Sequence, residues 1–84
     1  MDAEQKLDQI IVVLDQLAED TSVPRNIRRG AVECKERLQK RDEALDVRTA
    51  SAIFKLDEMA NDPNIPLHGR TLIWNIISQL EQVK

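Results

Sequence analysis

Residues 14–38 recur, in altered form, over residues 56–80. At an offset of 42 the two segments share Leu14/Leu56, Asp15/Asp57, Ala18/Ala60, Asp20/Asp62, Pro24/Pro66, Arg28/Arg70 and Leu38/Leu80, while Leu17/Met59 and Val23/Ile65 are similar. Seven identities in twenty-five positions exceed chance several-fold. Each copy reads as periodic apolar residues, a polar break, and then a proline where a new helix starts, because the missing N–H of proline costs nothing at a helix's first position. The repeated unit is therefore a helical hairpin, and a chain of two such hairpins has few folds open to it.

The remaining composition agrees. Eighty-four residues allow one domain, 1–84, with a modest core. Two aromatic residues and two glycines are too few for a small, turn-rich all-β domain, so the expected class is all-α. Helix one is expected over Ala3–Glu19, with Asp2 as N-cap and Gln5 in capping-box position. Helix two is expected from Pro24 to about Lys40, and helix four from Pro66 nearly to the end. Helix three starts less plainly. Asp46 is the expected N-cap, with Leu45 and Ala50 as a hydrophobic staple, and the alternative is one long helix from Pro24 to Asn61. Hairpin one thus spans about 2–40 and hairpin two about 45–84.

At about 100° per residue, the apolar stripes are Leu7, Ile10, Ile11, Leu14, Leu17 and Ala18 on helix one, and Ile27, Ala31, Cys34 and Leu38 on helix two. Helix three offers Ala52, Ile53, Leu56, Met59 and Ala60. Helix four offers Leu72, Ile73, Ile76, Ile77, Leu80 and Val83.

The pattern of Asp, then Pro, then Arg after a first helix, in "AEDTSVPRNIR" and "ANDPNIPLHGR", resembles HEAT-class helical repeats. Two units fall short of the three or so that a solenoid needs, so a closed four-helix up-and-down bundle is expected instead. Over all four segments, through "QKLDQIIVVLDQLAED", "SVPRNIRRGA" and "NDPNIPLHGRTLIWNII", the chain also resembles a family of short uncharacterised archaeal proteins. That resemblance implies a small four-helix fold grouped with bromodomain-like up-and-down bundles, and it assigns no activity.

Four apolar residues point away from their own stripes: Val12, Val32, Phe54 and Trp74. They fall in register, Val12 with Phe54 and Val32 with Trp74 at the 42-residue offset, and they include both aromatics of the chain. They are the candidate interface, most simply of a twofold homodimer or of a small protein partner.

Charge is segregated. Residues 1–20 carry six acids and one lysine, whereas residues 25–41 carry seven basic residues against Glu33 and Glu36. Arg25, Arg28, Arg29, Lys35, Arg37 and Lys40 make helix two a candidate for contact with a nucleic-acid backbone. No aromatic interleaves them and the overall charge is −3, so a solvated face paired with helix one is the simpler expectation.

Catalysis has little material: one histidine, one cysteine and no tyrosine. Cys34 belongs to an apolar stripe and His68 to an exposed first turn, so the chain is read as a non-enzyme without cofactor or metal. The pairs Asp20/Arg28 and Asp62/Arg70 are expected to close the hairpins. Gly30 is expected where another helix approaches closely, and Gly69 near a helix start. The five-residue run "IIVVL" is too short for a signal segment or membrane span, and a lone cysteine fits a reducing compartment, so the protein is read as soluble and cytoplasmic.

Overall fold

The computed structural model describes residues 2–83. The first helix, α1 (Ala3–Glu19), opens on the expected capping box. The Gln5 N–H donates to Asp2 Oδ1 at 2.8 Å, and the Asp2 N–H donates back to Gln5 Oε1 at 3.1 Å. It ends at Asp20, whose N–H returns to the Leu17 carbonyl. Next comes α2 (Arg25–Leu38), with Pro24 as its N-cap in extended conformation. The Pro24 carbonyl accepts from Ile27 and Arg28, so the proline lies one residue outside the helix it starts.

Residues 39–44 break the chain, and the single long helix from Pro24 to Asn61 does not form. The following helix, α3 (Leu45–Ala60), is capped by the backbone of extended Ala44 and not by Asp46. Asp46 sits inside the first turn, where its carboxylate accepts from Val47 N–H at 2.9 Å and favours the positive helix end. Leu45, being helical itself, is not the outer half of a staple. The last helix, α4 (Leu67–Glu81), starts after Pro66 as α2 starts after Pro24.

The α1–α2 and α3–α4 turns close with matching bonds. Asp20 Oδ1 accepts from Ser22 N–H and Asp62 Oδ1 from Asn64 N–H, while the two aspartate carbonyls accept from Val23 and Ile65. These side-chain turns explain why an acid precedes each proline. They also aim Val23 and Ile65 inward, so that both, although they belong to polar breaks, are buried as plugs beneath the loops.

In cross-section the helices run α1, α2, α3, α4 around a closed ring. Each lies against its two neighbours, and among the described residues the backbones of the diagonal pairs α1–α3 and α2–α4 do not approach closely. The result is a four-helix bundle with one central core. Leu7, Ile10, Leu14 and Leu17 meet Ile27, Ala31, Cys34 and Leu38 there, with Ala52 and Leu56 of α3 and Ile73, Ile76 and Leu80 of α4. Ile11, Ala18, Ile53, Leu72 and Ile77, expected inside, are only partly buried along the flanks of the stripes.

Candidate functional site

Three features stand out against this frame: a polar cluster at the proline end, an arginine clasp at the opposite end, and the outward apolar residues.

At the proline end the two hairpins exchange bonds. Asn26 Nδ2 donates to Asp62 Oδ2 at 2.7 Å, and His68 Nε2 lies 3.1 Å from Asp20 Oδ2. Asn26 and His68 are themselves 42 residues apart, so each aspartate is gripped by the first turn of the other hairpin's second helix. The Ser22 hydroxyl donates to Asp20 Oδ1 and lies 3.0 Å from the same His68 nitrogen. Ser22 hydrogen bonds, with help from His68, hold the Asp20 carboxyl below its ordinary range, and the Asn26 bond does the same for Asp62. Serine, histidine and aspartate meet here, but Ser22 and Asp20 converge on one ring nitrogen and on each other. A relay needs the base between its partners, and this arrangement is a bracket joining two loops.

The arginines of the same turns differ. Arg70 does the expected tying, donating from Nε to the Ala60 carbonyl at 3.0 Å and reaching the Asp62 carbonyl at 3.5 Å. Arg28 does not match it: its Nε is buried without a partner.

At the far end lies Arg48, which periodicity alone overlooks. It is only 4 % exposed. Its guanidinium donates to the Leu38 carbonyl at 3.0 Å and to Glu4 at 2.8 and 3.4 Å, clasping the start of α1, the end of α2 and the start of α3. The Arg48 bond is the main reason that the Glu4 carboxyl sits below its usual range. The available signal was spacing: Arg48 falls one turn before Ala52 on the apolar stripe of α3.

The α2–α3 seam is sewn by further contacts, with Arg37 donating to the Ser51 carbonyl at 3.1 Å and Lys55 paired with Glu33 at 3.3 Å. The α1–α4 seam is looser. A shallow groove of about 310 Å³ opens there, lined by Lys6, Gln9, Ile10, Gln79 and Gln82. Lys6 and Gln79 stand where Arg48 and Arg37 stand in the tighter seam, 42 residues on and back.

Val12, Val32, Phe54 and Trp74 are all exposed, but they do not converge on one patch. Val12 and Phe54 lie on diagonal helices, each on the side away from its buried stripe, so they face opposite sides of the bundle. Val32 lies one turn from Lys35, whose 2.9 Å pair with Asp15 marks the α1 flank of α2. Trp74 lies one turn from Arg70, whose bond to Ala60 marks the α3 flank of α4. Val12 and Val32 therefore belong to the outer face of hairpin one, and Phe54 and Trp74 to that of hairpin two. The second face is the richer: Phe54 is 69 % exposed and Trp74 55 %, and Val47 and Leu67, one heptad before them on the same sides of their helices, are exposed as well. Val47 and Leu67 were missed because each stands beside a helix start, where a single apolar residue looks incidental.

Of the six candidate cations, five lie on α2 and Lys40, expected at its end, falls in the break after Leu38; two are engaged, Lys35 with Asp15 and Arg37 with Ser51, and Arg28 is half-buried. Arg25, Arg29 and Lys40 stand exposed. Cys34 is buried, its thiol 3.8 Å from the Ala52 carbonyl, and burial pushes its pKa up to about 12. Among the described residues no group of three or more His, Cys, Asp or Glu is placed to hold a metal ion, and no helix is long and apolar enough to cross a membrane.

Comparison with known proteins places the chain in a family. The model of an uncharacterised protein family (UPF0147) matches residues 1–83. The chain belongs to this family. A UPF0147 protein of Methanocaldococcus jannaschii is 52 % identical over 96 % of this chain and 87 % of its own length, and one of Pyrococcus abyssi is 49 % identical over 99 % and 98 %. The crystal structure of a UPF0147 protein from Thermoplasma acidophilum superimposes with a TM-score of 0.92 at 43 % identity, covering 96 % of this chain and 95 % of that one. The family membership and the four-helix architecture are thereby established; the family carries no described activity.

Proposed function

We propose that this chain is a protein-interaction module that performs no chemistry of its own, and that it self-associates through the outer face of the α3–α4 hairpin with Phe54 and Trp74 as anchors. The observation that carries this assignment is that both aromatic residues of the chain stand outside the core, on one hairpin face, with Val47 and Leu67 beside them. A Phe side chain kept in water forgoes about 1.5–3 kcal/mol of burial free energy. Aromatic residues are also where interface energy concentrates. The absence of catalysis is supported by a thiol held protonated at neutral pH and by a lone histidine engaged in a loop bracket.

A polyanion-binding role for α2 has less support, because the exposed cations reduce to Arg25, Arg29 and Lys40 and no aromatic residue stands among them for stacking. Titration with generic RNA at low salt separates the two. Tight, salt-steep binding favours the basic helix; no shift removes it.

The primary test is solution mass by light scattering. The wild type is expected above its 9.6 kDa monomer mass, and a Trp74→Ala, Phe54→Ala double variant at the monomer mass with helicity unchanged. A wild type that stays at 9.6 kDa at every concentration refutes self-association.

A further inference from the structure

The charge around the two outer faces is unequal. On hairpin two, Asp46, Asp57, Glu58 and Glu81 are exposed and outside every ion pair among the described residues, whereas each described cation there is occupied. Arg48 is held by Glu4, Lys55 by Glu33, and Arg70 by carbonyls of its own hairpin. The aromatic face is therefore rimmed by acids alone. On the opposite side of the bundle, the outer stripe of α2 presents Val32 among exposed Arg25 and Arg29, with exposed Lys40 just past the helix end and Glu36 the one exposed acid on the stripe. Val12 of α1 is flanked by Asp8 and Glu19, so the basic stripe is that of α2 and not of hairpin one as a whole.

Granting the self-association assigned above, we propose that copies join head to tail, the acidic aromatic face of hairpin two on one copy seating on the basic Val32 stripe of α2 on the next. A twofold contact through the aromatic face would set Asp57 and Glu58 of one copy against the same residues of the other, and like charges juxtaposed at a contact oppose docking. The head-to-tail arrangement brings opposite charges together and covers both outer faces. Because these faces lie on opposite sides of one bundle, each added copy offers a fresh face. The assembly then closes as a ring or extends, and does not stop at two.

Complementation tests it. One variant carries Asp57→Lys with Glu58→Lys and keeps the basic stripe; the other carries Arg25→Glu with Arg29→Glu and keeps the acidic face. The wild type is expected to grow in mass beyond a dimer with concentration and to shrink with added salt. Each variant alone is expected to be monomeric, and an equal mixture to regain growth in mass beyond a dimer, since the unchanged faces pair with each other and the two reversed faces are again of opposite charge. A second pair, Trp74→Ala with Phe54→Ala on one chain and Val32→Ala on the other, leaves one live interface, so its mixture is expected to stop at a one-to-one heterodimer, and it carries the test should circular dichroism find a reversed-charge variant unfolded. A wild type that stops at a dimer, a single variant that still associates, or a mixture that stays monomeric overturns the head-to-tail contact while leaving self-association standing. A monomeric wild type overturns both.

Discussion

Replacing Gly30 with alanine puts a methyl group into the α2–α3 contact at its tightest point. A Cβ built on Gly30 lies 2.7 Å from Met59 Sδ and 3.2 Å from both Cγ and Cε of the same side chain. Were the methyl accommodated, alanine would stabilise a mid-helix site by about 0.5–1 kcal/mol through the helix propensity that glycine lacks. Accommodation requires the outer half of Met59 to swing, and Met59 is buried between helices. Forced methylenes in a packed core cost about 1–3 kcal/mol. The clash therefore outweighs the propensity gain, for a net loss of about 1 kcal/mol and a melting temperature lower by about 4–8 °C. In a Met59→Ala background, itself destabilised by about 2–5 kcal/mol, the obstruction is gone and the same Gly30→Ala change is expected to stabilise. Thermal and urea unfolding of the four chains make a double-mutant cycle whose sign reversal is the test. Gly30→Ala stabilising the wild type, or costing the same in both backgrounds, refutes the close-approach explanation of this glycine.

Other outcomes follow from the clasp, the bracket and the thiol. Arg48→Ala leaves the buried Leu38 carbonyl without its side-chain donor and should lower stability by about 1–3 kcal/mol, read from the urea midpoint; an unchanged midpoint contradicts the clasp. Glu4, Asp20 and Asp62 all titrate below their ordinary ranges in the fold. Their stabilisation is complete above the unfolded carboxylate pKa values and is lost as pH falls through and below them, so stability should decline from about pH 5 downward. An Asp20→Asn, Asp62→Asn variant should decline less steeply over that interval, and parallel curves would show that the loop bracket is not the cause. Cys34 should react with a thiol reagent only as fast as the fold opens, and rapid labelling of the native protein would contradict its burial.

The helices were legible because their signals are local. The capping box at Asp2 and Gln5 is three residues wide, and the two prolines mark helix starts wherever they stand. What escaped depends on distance along the chain. Arg48 is buried because Glu4, 44 residues away, and Leu38 converge on it, and a stripe built from apolar letters passes over a charged one. Val23 and Ile65 are drawn inward by the side-chain turns of Asp20 and Asp62, so a polar loop composition concealed two core residues. Asp46 was a reasonable cap by residue type, but the chain enters α3 extended at Ala44, two residues earlier, so the acid falls within the helix. For the candidate face, outward apolar positions could be read from the helical wheel, whereas their grouping could not. Only the ring order of the helices separates Val12 and Val32 from Phe54 and Trp74 and adds Val47 and Leu67 to the latter.

Trp74 is the only tryptophan of the chain and stands half-exposed on the face at issue, so its fluorescence tests the central claim most directly. Followed from dilute to concentrated protein, the emission is expected to shift to shorter wavelength and to lose access to a soluble quencher as the mass rises. Emission that remains that of a water-exposed indole, equally quenched at every concentration, would contradict the assignment of the α3–α4 face as the surface through which this protein associates.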